Sequence, residues 1–212
     1  MNPAVTHPCS TPGEDAVVGS DGWQRLIAAR DAYMQAVSPH YDEVLHHVAH
    51  RAQAEGSLGK ADIGALLLWK RLRADTRWAG ALMAVADAEV RRVTAAAVAA
   101  VRDTSLSRST AARVGRAALA GLPGSTSGDA LASAVLTAAA PDRTAVYDRR
   151  AHVGLRSLGI PLTHSQGRYS RCIDAVDHLL ADAPDPVRAW TPREMDTALY
   201  YPPSLSLAPP NA

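Results

Sequence analysis

The stretch from residue 111 to residue 158 constrains the fold of this chain more than any other. Small and apolar residues at helical spacing lead into Gly121-Leu122-Pro123-Gly124, a sequence that ends a helix and turns the chain sharply. Ser125 to Gly128 prolongs this turn, and a second apolar helix is expected from about Asp129 to Ala139. The pattern therefore predicts two helices joined by a glycine-rich hairpin, followed by a loop and a third helix that begins at Asp148.

The remainder of the chain is also helical in character. Apolar residues recur at helical spacing, Asp21 is placed to cap the first helix, and Thr191-Pro192-Arg193-Glu194 is a capping box for the last. No segment shows the alternation expected of a strand. We therefore predict an all-α fold with one helical domain over residues 21–201, flanked by disordered tails at 1–20 and 202–212.

Charge is unevenly distributed along the sequence. The net charge is only +1, but residues 105–171 contain nine arginines and three aspartates. A local basic region suits a phosphate-bearing partner, although it is equally compatible with a solvated surface. The two cysteines, Cys9 and Cys172, are too few for a disulfide framework or a four-cysteine iron–sulfur cluster.

Targeting signals and membrane spans are not evident in the sequence. The chain shows neither a charged start followed by an apolar run nor an uninterrupted apolar stretch of about 18 residues. We therefore expect a cytoplasmic protein with no membrane association. Lysine is scarce and phenylalanine absent, while alanine and arginine are abundant, a composition typical of a GC-rich bacterial genome.

The order of hairpin, small-residue helix, loop and aspartate resembles that of the helix-hairpin-helix DNA glycosylases. The resemblance covers roughly residues 60–200 and is strongest over 119–158. In that superfamily the backbone amides of a Leu-Pro-Gly hairpin contact a DNA phosphate, and an aspartate lies at the start of a later helix. That carboxylate stabilises the oxocarbenium-like sugar as the base leaves, or orients the attacking water. Trp69-Lys70-Arg71 at the end of an upstream helix is similar to a group of uncharacterised bacterial proteins related to these enzymes.

The resemblance implies an architecture and a set of site residues. It implies two lobes, one from residues 60–139 and one from 21–54 with 163–200, with Asp148 at the cleft as the catalytic residue. Double-stranded DNA is the implied partner, and no cofactor or metal is expected. The residues expected to contact DNA combine the hairpin with nearby cations: Gly124, Ser125, Thr126, Ser127, Gly128, Arg113, Arg116, Arg149, Arg150 and Lys70.

The sequence departs from the superfamily pattern at the hairpin. The two glycines stand four positions apart instead of within three, and Asp129 would place a negative charge near a bound phosphate. The hairpin is therefore either lengthened or has lost contact with DNA. Glycosylases that also cut the strand use a lysine in the second hairpin helix, and residues 129–136 contain none. The resemblance therefore implies removal of a damaged base without Schiff-base chemistry.

Other interpretations of these residues remain open. Asp148 fits equally well as an N-cap, which would leave a non-catalytic DNA-binding or protein-interaction module. Trp69, Tyr147 and Tyr169 are either base-stacking residues or core residues. His46 and His50, one helical turn apart, are either metal ligands or part of a polar helix face.

Overall fold

The structure is a computed structural model that describes residues 18–126, 128–163 and 165–201. All regular secondary structure in these residues is helical, which confirms the predicted all-α class. Two short 3₁₀ helices also occur, at Leu119–Gly121 and at Val187–Ala189. The helices are α1 (Ser20–Ala36), α2 (Glu43–Glu55), α3 (Lys60–Trp69), α4 (Arg77–Ala84), α5 (Asp87–Arg102), α6 (Arg108–Ala118), α7 (Ala130–Ala139), α8 (Arg149–Ser157), α9 (Arg168–Asp182) and α10 (Pro192–Tyr200).

The helical domain begins one residue earlier than predicted. Helix α1 begins at Ser20 with Gly19 at the N-cap, so the predicted cap, Asp21, lies in the first turn instead. A carboxylate there still interacts favourably with the partial positive charge of the helix N-terminus. Of the two predicted tails, residues 1–17 and 202–212 lie outside the described residues.

Helix α7 lies at the centre of the fold. Residues 131–139 are all buried, and α2, α3, α5 and α6 pack against this helix. A helix that is buried on every side must be apolar or small all round, which explains its run of alanines with a serine and a threonine. The second helix of the predicted hairpin is therefore the core helix of the molecule.

Two helix pairs approach so closely that only glycine fits between them. A Cβ at Gly154 of α8 would lie 2.3 Å from the carbonyl oxygen of Leu199 in α10. A Cβ at Gly115 of α6 would lie 2.8 Å from Val101 of α5. The first of these contacts holds α8 against α10, and α10 in turn packs on α1. Side chains from these three helices meet in the cleft described next.

Candidate functional site

A cleft of about 610 Å³ lies where the C-terminal ends of α1, α3 and α10 meet the N-terminus of α8. We call it the aromatic cleft. Among the described residues, its only lining carboxylate is that of Asp148. The aromatic and cationic side chains that line it are Tyr33, Tyr41, Trp69, Tyr200 and Tyr201, with Lys70, Arg71, Arg150 and Arg193.

Asp148 both caps α8 and faces the aromatic cleft. Its Oδ1 accepts hydrogen bonds from the backbone N–H groups of Arg150 at 2.8 Å and Ala151 at 3.0 Å. Its Oδ2 lies 3.2 Å from Nζ of Lys70, and the Asp148 side chain remains 20 % exposed. The N-cap interpretation is therefore confirmed, and the carboxylate still has access to a bound molecule.

Lys70 reaches Asp148 from the end of α3. It occupies the C-cap position, and its ammonium group lies 5.6 Å from the centre of the Trp69 ring and 5.5 Å from that of Tyr200. The side chain is only 11 % exposed. An amine that was expected to contact DNA is thus placed beside the candidate catalytic acid.

Arg193 lines the cleft and lies at the centre of a network of ion pairs. Its guanidinium contacts Asp196 at 2.6 Å and Asp42 at 3.1 Å, and lies 5.1 Å from the centre of the Trp69 ring. The Trp69 indole N–H donates to Asp42 at 2.8 Å. Burial raises the pKa of Asp196, although the charge of Arg193 opposes that shift. Every polar atom of the Trp69 side chain is therefore engaged, so its ring is held in one orientation.

Tyr33 forms one wall of the cleft. Its ring meets Tyr200 and Tyr201 edge to face, with centroid separations of 6.3 and 6.1 Å. Burial raises the pKa of the Tyr33 hydroxyl to about 12, with Arg193 opposing the shift. The hydroxyl is thus protonated at neutral pH and can serve as a hydrogen-bond donor.

Two arginines at the solvent edge of the cleft have no ion-pair partner within the described ranges. The guanidinium of Arg71 lies 5.7 Å from the centre of the Tyr41 ring, and that of Arg150 lies 4.7 Å from that of Tyr200. Arg71 has a backbone φ of 51°, the left-handed region that L-residues rarely adopt. The Tyr41 hydroxyl donates to the backbone carbonyl of Trp69 at 2.6 Å, which keeps its ring in place under Arg71.

The hairpin glycines differ in what surrounds them. Gly124 has φ of 92°, and a Cβ there would lie 2.4 Å from the Trp78 ring, so the indole packs directly against this glycine. Gly128 has φ of 141° and open space where a Cβ would stand. Ser127 lies outside the described residues. A side chain therefore covers Gly124, whereas the space beside Gly128 is open.

The negative charge of Asp129 is compensated within the hairpin. Its carboxylate lies 3.0 Å from Arg116 and 3.2 Å from Arg168. Arg116 also donates to the backbone carbonyl of Ser125, whose own side chain is buried. Asp129 therefore does not repel a phosphate as its position in the sequence suggested, and Arg116 is part of the hairpin's internal structure.

The hairpin and Asp148 do not line the same cavity. Within the described part of the chain, residues 121–126 and 128–130 are absent from the lining of the aromatic cleft. The two are linked instead through α7, because the hydroxyl of Ser133 donates to the carbonyl of Tyr147 at 3.2 Å, next to Asp148. Of the predicted DNA contacts, the cleft includes only Lys70 and Arg150.

Much of the local arginine excess serves internal contacts. Arg143 donates to three backbone carbonyls in the last turn of α5 and the loop after it, and Arg108 pairs with Asp177 at 3.0 Å. Arg113 and Arg149 are exposed, and neither has an ion pair in the described residues. The positively charged surface that is available to a partner is therefore smaller than the nine arginines of residues 105–171 indicated.

The remaining sequence candidates lie away from the cleft. Tyr147 and Tyr169 are 5 % and 2 % exposed and do not line it. His46 and His50 are exposed on α2, and the described residues contain no group of three or more potential metal ligands. The polar-face interpretation of these histidines therefore fits the structure.

Most of the cleft residues could not be identified from the sequence. Trp69 was a candidate because it precedes Lys70 in a recognisable pattern, but Tyr33, Tyr200 and Arg193 have no such signal. They come from the two ends of the chain, and packing of α1 against α10 brings them together.

Comparisons with protein-family models, with curated proteins and with solved structures find no match to this chain. In the described residues no helix combines the length and the apolar character needed to cross a membrane.

Proposed function

We propose that this chain is a DNA-binding, helix-hairpin-helix protein that acts as a monofunctional glycosylase on a damaged base. The observation that carries the proposal is the position of Asp148, whose carboxylate opens into the aromatic cleft instead of being sealed in the core. The resemblance of residues 119–158 to the glycosylases supplies the reaction type.

The aromatic cleft has the properties that a flipped base requires. A nucleotide leaves the stack only if the pocket offers replacement contacts, and stacking on an aromatic side chain contributes about 1–3 kcal/mol per base. The volume of 610 Å³ lies within the range of ligand pockets. Five aromatic side chains line it, and because Tyr33 and Trp69 are buried, a base would be held mainly by the part-exposed rings of Tyr41, Tyr200 and Tyr201.

Asp148 would act on the sugar as the glycosidic bond breaks. The bond cleaves towards an oxocarbenium-like centre, and a fixed carboxylate stabilises that positive charge. Lys70 would orient the carboxylate through its ion pair. The monofunctional assignment comes from the resemblance, because residues 129–136, where strand-cutting glycosylases carry their amine nucleophile, contain no lysine.

Base release from damaged duplexes is the decisive measurement. We expect abasic product from at least one duplex in a panel of damaged bases, and a loss of at least about 100-fold for Asp148→Asn. Asp174→Asn, an exposed aspartate on α9, is the matched control and should retain full activity. Borohydride should trap no covalent complex, and a trapped complex would refute the monofunctional assignment.

DNA binding is tested separately through its salt dependence. Phosphate contacts release counterions, so log K should fall linearly with log[salt]. A slope near zero would exclude phosphate contacts. Arg149→Gln, on the exposed first turn of α8, should weaken binding more than Arg77→Gln, because of these two exposed arginines only Arg149 is among the predicted DNA contacts.

A non-catalytic DNA-binding or protein-interaction module is the second candidate. It is favoured by one observation, that both oxygens of Asp148 already have partners within the protein. This candidate predicts that Asp148→Asn leaves DNA affinity unchanged and that no abasic product forms. Base release that this substitution abolishes would rule it out.

A further inference from the structure

Arg71 and Arg150 stand apart from the other cations of the aromatic cleft. Lys70 is paired with Asp148, and Arg193 is paired with two aspartates. For Arg71 and Arg150, by contrast, the described residues provide neither a carboxylate nor a hydrogen-bond acceptor for the guanidinium, only the rings of Tyr41 and Tyr200. Their N–H donors are therefore directed to solvent at the edge of the cleft.

The backbone at Arg71 is held in an unfavourable conformation. Its φ of 51° lies in the left-handed region, which is strained for a residue other than glycine. The turn persists because the N–H groups of Arg71 and Leu72 donate to the carbonyls of Leu68 and Leu67, at 3.0 and 2.9 Å. Glycine would adopt this conformation without strain. An arginine here places a guanidinium at the cleft where a lower-energy residue would place none.

The ring faces in the cleft indicate the charge of the occupant. Trp69, Tyr41 and Tyr200 each already lie against a protein cation. A cationic ligand would meet occupied faces and like charge, whereas an anionic group would meet two guanidinium groups with free donors. Guanidinium donors are spaced to bind phosphate oxygens in pairs.

We propose that the aromatic cleft binds a planar aromatic ring that carries a phosphate, as in a nucleotide. The ring lies against the part-exposed rings of Tyr200 and Tyr201, since Tyr33 and Trp69 are buried, and the phosphate is bound at Arg71 and Arg150. A free nucleotide and a nucleotide within a strand share this chemistry. The proposal rests on the cleft alone and requires neither base release nor the hairpin.

Calorimetric titration with guanosine and guanosine 5′-monophosphate tests the role of the phosphate, since the two ligands differ only in that group. We expect the monophosphate to bind at least about tenfold more tightly, because hydrogen bonds between charged groups are the strong ones. Arg71→Gln and Arg150→Gln should each remove most of this difference. Arg77→Gln, an exposed arginine outside the cleft, should leave it unchanged.

A second variant at Arg71 distinguishes a loss of phosphate binding from a folding defect. Arg71→Gly removes the guanidinium and relieves the backbone strain, so it should unfold no more readily than the wild type while losing the phosphate preference. Equal binding of nucleoside and monophosphate by the wild type would overturn the proposal. So would an undiminished preference in both Arg71→Gly and Arg150→Gln.

Competition distinguishes the two sources of the nucleotide. If guanosine monophosphate displaces a short single-stranded oligonucleotide, the site accepts nucleotides within a strand. If the monophosphate binds and the oligonucleotide does not, the site serves a free nucleotide, and both results support the proposal. Failure of the monophosphate to bind overturns it even if base release is observed, and absence of base release leaves it standing.

Discussion

Replacing Gly154 with alanine tests the close contact between α8 and α10. The new Cβ would lie 2.3 Å from the carbonyl oxygen of Leu199, whereas real Cβ contacts essentially never fall below 3.0 Å. The obstructing atoms belong to the backbone, so no side chain can rotate away. The two helices must therefore separate by most of an ångström.

The expected cost follows from two opposing terms. Overpacking a close contact costs about 1–3 kcal/mol, and a rigid backbone neighbour places this site at the upper end. Alanine recovers about 1 kcal/mol of helix propensity relative to glycine. The free energy of unfolding should thus fall by about 2 kcal/mol, which lowers Tm by about 4–8 °C in a domain of this size.

Gly64→Ala is the matched control. Gly64 is also helical, in α3, but a Cβ there would meet nothing within 4 Å. Only the propensity term remains, so this variant should be stabilised by about 1 kcal/mol. Urea titrations of both variants, followed by far-UV circular dichroism, measure the pair. If Gly154→Ala also gains stability, the described contact between α8 and α10 is incorrect.

Three further predictions concern the cleft and the hairpin. Asp148→Ala should lower the free energy of unfolding by about 1 kcal/mol through loss of the N-cap, while Asp148→Asn retains an acceptor and should cost less; urea titration measures both. Burial raises the pKa of Tyr33 from its ordinary value of 10.0 to about 12 in the folded state. The contribution of this group to the free energy of unfolding is therefore fully present below pH 10 and is lost as pH rises towards 12. Unfolding measured across this range should show a shallower loss in Tyr33→Phe. Arg116→Met should cost about 1–3 kcal/mol by removing donors to Asp129 and Ser125, whereas Arg113→Met on the exposed face of α6 should change stability by less than about 0.5 kcal/mol; equal effects of the two would contradict the hairpin network.

Helix positions could be predicted because they depend on local patterns. The second hairpin helix, expected from about Asp129 to Ala139, agrees with α7, and the capping box at Thr191 and Glu194 is present in the structure. The sequence places Trp69-Lys70-Arg71 at the end of a helix, and α3 ends at Trp69 with Lys70 at the C-cap. Periodicity cannot detect the left-handed turn at Arg71, which depends on hydrogen bonds to the preceding turn.

The cleft could be predicted only in part. Asp148 was identified through its place after the hairpin, but its partner Lys70 is 78 residues away. Pairing over such a distance is set by how α3 and α8 pack, and a single sequence contains no pattern that records it. The ion pair between Arg116 and Asp129 could not be predicted for the same reason. From the sequence alone, Arg116 was expected only to contact DNA.

The contact between Gly124 and the Trp78 ring gives the molecule a built-in optical reporter. Indole emission responds to its immediate surroundings, and Trp78 lies against the hairpin while Trp69 lines the aromatic cleft. In a variant that lacks the other two tryptophans, Trp23 and Trp190, replacing either Trp69 or Trp78 would therefore assign a fluorescence change to one location or the other. Occupancy of the two regions could then be followed independently in a single solution.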